Sequence, residues 1–171
     1  MTLRLRAGCS APISVHLLRT GMGRLKKDET ALLGTARHPV YVREVLLCAG
    51  DQPVLAARTV CVSRRLRSWL AILGTQPLGE RLFATGTAQW SVRDYARITP
   101  SSEIHAFVRQ SAGLGLHACW ARRSLYFLER SPMLVTEIFL PALFVQCGGS
   151  RSSGVTGTKL KNHYQQILRN I

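Results

Sequence analysis

Val40-Tyr41-Val42-Arg43-Glu44-Val45-Leu46-Leu47-Cys48 and Val54-Leu55-Ala56-Ala57-Arg58-Thr59-Val60-Cys61-Val62 are two β-rich runs joined by Ala49-Gly50-Asp51-Gln52-Pro53. Apolar and β-branched residues on either side of a Gly-Asp turn signal predict a β-hairpin. Each run also carries arginine inside an otherwise apolar strand. A charge buried in a sheet is costly unless something pairs with it.

Working outward, Cys119 to Leu128 and Met133 to Leu140 form a second such pair around Glu129-Arg130-Ser131-Pro132. Ile13 to Leu18 and Thr87 to Ile98 supply further strands. Ser63 caps a helix in which Leu66, Trp69, Leu70 and Leu73 recur at i, i+3, i+4, i+7, and Gly74 stops it. Thr99-Pro100 opens another helix, with Ile104, Phe107 and Val108 on one face. Residues 22–35 are polar and basic and read as a loop or irregular segment. The order is strand, hairpin, helix, strand, helix, hairpin. Long β-α-β alternation is absent, so the expected class is α+β, an antiparallel sheet with helices covering one side.

The 171 residues suffice for one domain with a core, and 46% hydrophobic residues exclude a disordered chain. Residues 1–147 are expected to form that domain. Gly148 to Gly157 has a flexible linker's composition, and the stretch 148–171 reads as linker and basic tail. The net charge is +14, which brings nucleic acid, anionic lipid and anionic metabolites into consideration. The arginines are spread along the chain with no block of five or six like charges, so no specific nucleic-acid binding is expected. Five cysteines without C-x-x-C spacing, and histidines without ligand-like spacing, fit a reduced, cytoplasmic setting and no metal site. The opening Met1 to Arg6 is broken by arginines and does not read as a signal peptide. The run Met133 to Cys147 is too short to span a bilayer, so a soluble protein is expected.

Alternation along strands decides which ionisable groups can meet. Arg43, Val45 and Leu47 share one face, and Ala56, Arg58 and Val60 share one face of the return strand. With Val45 opposite Arg58, the two arginines become diagonal neighbours on a single face, suited to anions. A slip of one residue separates them. Glu137 shares a face with Met133, Val135 and Phe139, where burial would favour acid–base use. Of Arg122 and Arg123 in the partner strand, one must face each way, and one of them can neutralise Glu137. Structural ion pairing explains both sets of residues equally well at this level. No nucleophile–base pair and no cofactor-binding glycine fingerprint stands out.

Arg43-Glu-Val-Leu-Leu-Cys48, Ala57-Arg58-Thr59-Val60, Pro77-Leu78-Gly79 before Leu82-Phe83, Trp120-Ala-Arg-Arg-Ser124 and Leu134-Val-Thr-Glu-Ile-Phe-Leu-Pro141 occur in this order. Together they closely resemble the chorismate pyruvate-lyase family, whose members start bacterial ubiquinone synthesis. The likeness runs to about Phe144. It implies an antiparallel sheet with helices packed around it and a cofactor-free conversion of chorismate to 4-hydroxybenzoate and pyruvate. It further implies that Arg43 binds the ring carboxylate, with Leu78 contacting it through its main chain. Glu137 then meets the ring hydroxyl, Arg58 is a second active-site arginine, and the main chain of Met1 touches product. The family's N-terminal helix is expected to be missing before Met1. A monomer, weakly associated at most with anionic membrane, completes the expectation. The alternatives are a non-catalytic domain of the same fold that binds aromatic carboxylates, and an inactive truncated lyase. The fold is shared by effector domains of bacterial transcription regulators.

Overall fold

The computed structural model describes residues 2–35, 39–84, 86, 88–112 and 119–146. The expectations for Met1 and for the stretch 148–171 lie outside the described residues. Among the described residues there are six strands: β1 Ile13–Gly23, β2 Val40–Ala49, β3 Gln52–Cys61, β4 Gln89–Ile98, β5 Cys119–Leu128 and β6 Ser131–Phe139. They form one sheet in the order β1-β2-β3-β6-β5-β4, antiparallel throughout. Around it lie α1 Thr2–Gly8, α2 Lys27–Leu33, α3 Arg64–Ala71, α4 Leu78–Ala84, α5 His105–Ala112 and α6 Pro141–Gln146. The expected α+β architecture is therefore present.

Helices cover both faces, not one. Every residue of β2 is buried, which a strand with one wet face cannot achieve. On one face Leu5 of α1 and Leu143 of α6 pack against Val45, Leu47, Leu55 and Phe139. Leu66, Leu70, Leu73 and Leu82, from α3, its C-terminal turn and α4, pack on Tyr41, Cys61, Met133 and Tyr126 of the same face. On the other face Phe107 and Val108 of α5 meet Leu46, Ala56, Ala121 and Ile138. Leu32 and Leu33 of α2 lie against Val42, Val60 and Leu134.

Residues 22–35 are thus not irregular: they finish β1 and form α2. That helix has only seven residues, too short to stand alone in water. Its N-terminus is satisfied by Glu29, whose Oε2 accepts the Lys26 N–H at 2.8 Å. Tertiary packing of Leu32 and Leu33 does the rest.

The first hairpin turns at Gly50-Asp51, with Gly50 at φ 57° and Ala49 opposite Gln52. An irregularity at Val54 then shifts the pairing, so Leu47 faces Leu55 and Val45 faces Ala57. Arg43 consequently pairs with Thr59, and Arg58 with Glu44. The register expected from sequence is off by one, and Arg58 lies on the face opposite Arg43. Cys48, Cys61 and Cys119 are free and buried. Cys9 departs from the reduced state expected of the chain, being disulfide-bonded. No helix among the described residues is long and apolar enough to cross a membrane.

Candidate active site

A cavity of about 250 Å³ opens over the middle of the sheet, on the face that carries Arg43. Cross-strand rows explain the hollow. Arg43, Thr59, Val135 and Ser124 form one row across four strands, continued by Arg93 on β4. Val45, Ala57, Glu137 and Arg122 form the next. The small residues Ala57 and Thr59 on β3 keep the floor low between larger neighbours. Leu47 and Leu55 close one end, and Leu78, Leu82 and Phe83 of α4 form an apolar roof. Arg93, Arg122 and Tyr126 line the side toward β4.

Arg43 is buried to 2% exposure on β2. Its Nη2 donates to the carbonyls of Gly74 (3.0 Å) and Gln76 (2.8 Å), which ties the strand to the segment leading into α4. Leu78 therefore begins α4 at the cavity wall, held near Arg43 through that segment. The buried Arg43 Nε has no hydrogen-bond partner. No carboxylate among the described residues forms a salt bridge with Arg43. Burial pushes its pKa down, with only Tyr41 opposing. A buried cation in that condition calls for an anion from outside the chain.

Glu137 on β6 faces Arg122 on β5. Nε and Nη2 of Arg122 approach the same oxygen, Oε2, at 2.8 and 2.7 Å. Desolvation lowers the Arg122 pKa, but the charge and hydrogen bond of Glu137, joined by those of Tyr95, outweigh it and the net direction is upward. The Arg122 guanidinium also lies 5.8 Å from the centre of the Phe139 ring, a cation–π distance. Tyr126 is held above its usual pKa by burial first and by the charge of Glu137 second. A neutral phenol and a carboxylate thus face one cavity.

Arg58 does not join this group. Its Nε donates to Glu29 Oε1 (2.7 Å), its Nη1 to Glu44 Oε1 (2.6 Å), and its Nη2 to Glu29 Oε2 (3.1 Å) and the Arg24 carbonyl (2.9 Å). Burial acts to lower its pKa, yet the two carboxylates reverse the direction. The side chain pins α2 to the sheet on the face away from the cavity. Sequence reasoning missed Glu29, because nothing in residues 22–35 advertises a helix that delivers a carboxylate to Arg58. It also left open whether Arg122 or Arg123 meets Glu137. Arg123 faces the other way and pairs with Asp28 at 2.6 Å. Arg93 carried no signal beyond its place in a strand.

Solved structures with this architecture include the effector domain of PhnF from Mycobacterium smegmatis. It aligns with a TM-score of 0.58 at 12% identity, over 82% of this chain and 88% of that one. A GntR-family transcriptional regulator from Bacillus cereus gives 0.58 at 13%, over 84% and 99%. At such identities the likeness concerns the fold alone. Sequence relatives are nearer. A probable chorismate pyruvate-lyase of Dechloromonas aromatica is 38% identical over 84% of this chain and 82% of its own length. That of Thiobacillus denitrificans is 39% identical over 84% and 78%. The chorismate lyase family model matches residues 1–148, a span that contains both hairpins and every cavity-lining residue named above, and the chain belongs to that family.

Proposed function

We propose that the protein is a lyase that converts chorismate to 4-hydroxybenzoate and pyruvate, the reaction that opens ubiquinone synthesis. The observation that carries the reading is the composition of the cavity. Arg43, Arg93 and Arg122 against Glu137 leave two formal positive charges beside Val45, Ala57 and Val135 of the sheet. Chorismate is a small dianion with a six-membered ring, and family membership supports the same substrate.

In this reading the ring carboxylate lies at Arg43, where the unpartnered Nε and the main chain of Leu78 receive it. The ring rests on Ala57 and Thr59 beneath Leu82 and Phe83. Glu137 accepts a hydrogen bond from the ring hydroxyl through Oε1, since Arg122 occupies Oε2. The elimination breaks the C3–O bond to the enolpyruvyl group, whose oxygen keeps the electron pair. The C4 proton is lost, the C4–H electrons enter the ring, and the hydroxyl stays on C4 of the aromatic product. The released enolate takes up a proton and becomes pyruvate. Glu137 orients the hydroxyl and is the base nearest the C4 proton. Aromatisation supplies much of the driving force, so orientation, charge complementarity and exclusion of water are what the protein adds.

Arg58 acts in this scheme as a positioning residue for α2, not as a substrate ligand. The test is an assay of purified protein with chorismate, following 4-hydroxybenzoate by absorbance and pyruvate by a coupled enzyme. Equimolar appearance of both products is expected. Binding of 4-hydroxybenzoate without turnover of chorismate would instead identify a non-catalytic aromatic-carboxylate binder.

A further inference from the structure

Arg64-Arg65-Leu66-Arg67 opens α3, and none of its arginines lines the cavity. The first turn of the helix holds no acid. Cations there oppose the partial positive charge of the helix end, a placement that costs stability until an anion compensates it. Arg65 reaches Glu129 at 2.6 Å, with both side chains largely exposed. Arg64 and Arg67 form no salt bridge among the described residues. The Arg67 Nη1 instead donates to the Met22 thioether at 3.4 Å, a weak acceptor. Arg64 and Arg67 line a hollow of about 210 Å³ with Met22, Val62 and Ser63.

Leu66, Leu70 and Leu73 are committed to the core, which turns the other side of α3 to water. At about 100° per residue that side presents Arg64, Arg67, Ser68 and, where the helix ends, Ile72. Ile72 is 69% exposed. Beside α3, Arg81 of α4 lies over the Trp69 ring at 5.5 Å. The exposed Arg130 follows Glu129 in the second hairpin turn. The acids of this region are already matched, Glu129 by Arg65 and Glu80 by Arg6. Arg64, Arg67, Arg81 and Arg130 remain without a carboxylate among the described residues.

We propose that this face, the outer side of α3 with Arg81 of α4 and the turn of the second hairpin, docks on an anionic lipid bilayer. Guanidinium forks match headgroup phosphates, and the negative surface draws clustered arginines to it. Ile72 adds an apolar contact with the interfacial layer. A nucleic-acid backbone answers the arginines equally well but offers nothing to a largely exposed isoleucine. Leu66, Leu70 and Leu73 share one apolar cluster with Leu82 of α4, so docking holds the roof of the cavity close to the membrane surface.

The docking face does not depend on the lyase reading, and its test needs no turnover. The full chain is sedimented with vesicles of phosphatidylcholine alone and of equimolar phosphatidylcholine and phosphatidylglycerol, at low and at high salt. Binding to the mixed vesicles is expected, weakening as salt rises, with the neutral vesicles left bare. Each guanidinium lost from the face should weaken partition about fivefold, so Arg64→Gln with Arg67→Gln should weaken it about 25-fold. Lys27→Gln with Arg109→Gln removes the same charge from α2 and α5, on the opposite face of the sheet, and should change partition by less than about twofold. Ile72→Ser should weaken it at either salt concentration, because an apolar contact is not screened. Unaltered partition in Arg64→Gln with Arg67→Gln overturns the docking face, and so does an equal loss in the two double variants. Retention on duplex DNA without binding to vesicles also overturns it and assigns the arginines to nucleic acid.

Discussion

Arg122 and Glu137 stand directly opposite each other on β5 and β6, and both guanidinium contacts, at 2.8 and 2.7 Å, converge on a single carboxylate oxygen. Burial of such a pair does not by itself stabilise a fold. Its consequence is geometric: Oε2 is fixed, and Oε1 is held in one orientation at the cavity. Two adjacent strands, not a flexible loop, set the position of the group proposed to read the substrate hydroxyl.

Glu137→Gln tests that group. The amide retains an acceptor oxygen and the side chain's shape, but loses the charge that a base needs. A fall in kcat of about 100-fold or more is expected, the usual scale for general acid–base assistance. Chorismate binding should persist. Because Arg122 loses its charged partner, a lower urea midpoint is expected in the same variant. Unchanged kcat would remove Glu137 from the chemistry.

Arg43→Ala should act mainly on binding. Truncating a buried, hydrogen-bonded charge typically costs about 2–5 kcal/mol of affinity. A rise in KM for chorismate and in the inhibition constant of 4-hydroxybenzoate by that amount is the expected result. The ligand-free fold loses the tie to the Gly74 and Gln76 carbonyls, but no protein carboxylate is left unpaired, so a smaller loss of stability than in Arg58→Ala is expected. Calorimetric titration together with thermal melts of the apo protein checks both halves.

Arg58→Ala should do the reverse. It leaves Glu29 and Glu44 buried, together, without their shared cation. Breaking such a cluster from one side costs about 3–5 kcal/mol, and α2 loses its anchor. Equilibrium unfolding in urea measures the loss. Joint replacement with Glu29→Gln and Glu44→Gln, as Arg58→Met, should recover most of it, because no charge then remains unpaired. An unaltered urea midpoint for Arg58→Ala would remove its structural role.

Sheet, hairpins and the α3 stripe were legible because their signals are local: period-two patterning, a Gly-Asp turn, and Leu66, Leu70 and Leu73 at helical spacing. Residues Arg43 and Glu137 stood out as charges in apolar strands. What stayed hidden depends on register and distance. One irregularity at Val54 decides the face of Arg58, and no pattern in residues 52–55 forecasts it. The seven-residue α2 forms only because the sheet receives Leu32, Leu33 and Glu29. Both cavity arginines on β4 and β5 acquire meaning only when the second hairpin is laid beside the first.

Alkaline pH should destabilise the fold through its thiols. Burial pushes Cys61 from an ordinary 9.0 up to about 12 and moves Cys48 and Cys119 in the same direction. In the unfolded chain these thiols lose their protons first, so the native state binds more protons above pH 9. Stability is then full below about pH 9 and falls as pH rises toward 12, by at most about 4 kcal/mol for Cys61 alone. Urea midpoints at pH 8 and pH 10.5 should differ less in Cys61→Ala than in the wild type. Equal slopes would show that the thiol does not govern the transition.

The second hairpin offers a stabilising change. Leu128 pairs with Ser131, so Glu129 and Arg130 alone make the turn, at φ 49° and 66°. Positive φ at both positions is the primed geometry that suits the twist of paired strands, and it favours Asn or Gly. A non-glycine residue there costs roughly 1 kcal/mol. Arg130→Gly removes that strain at the second position and keeps the Glu129 contact with Arg65, a pair too exposed to contribute much. Part of the gain returns as unfolded-chain entropy. A net stabilisation of about 0.5 kcal/mol is expected in urea unfolding, with lyase kinetics unaltered, since neither residue lines the cavity. A lower midpoint for Arg130→Gly would mean that the arginine side chain holds the turn by contacts that outweigh its backbone strain.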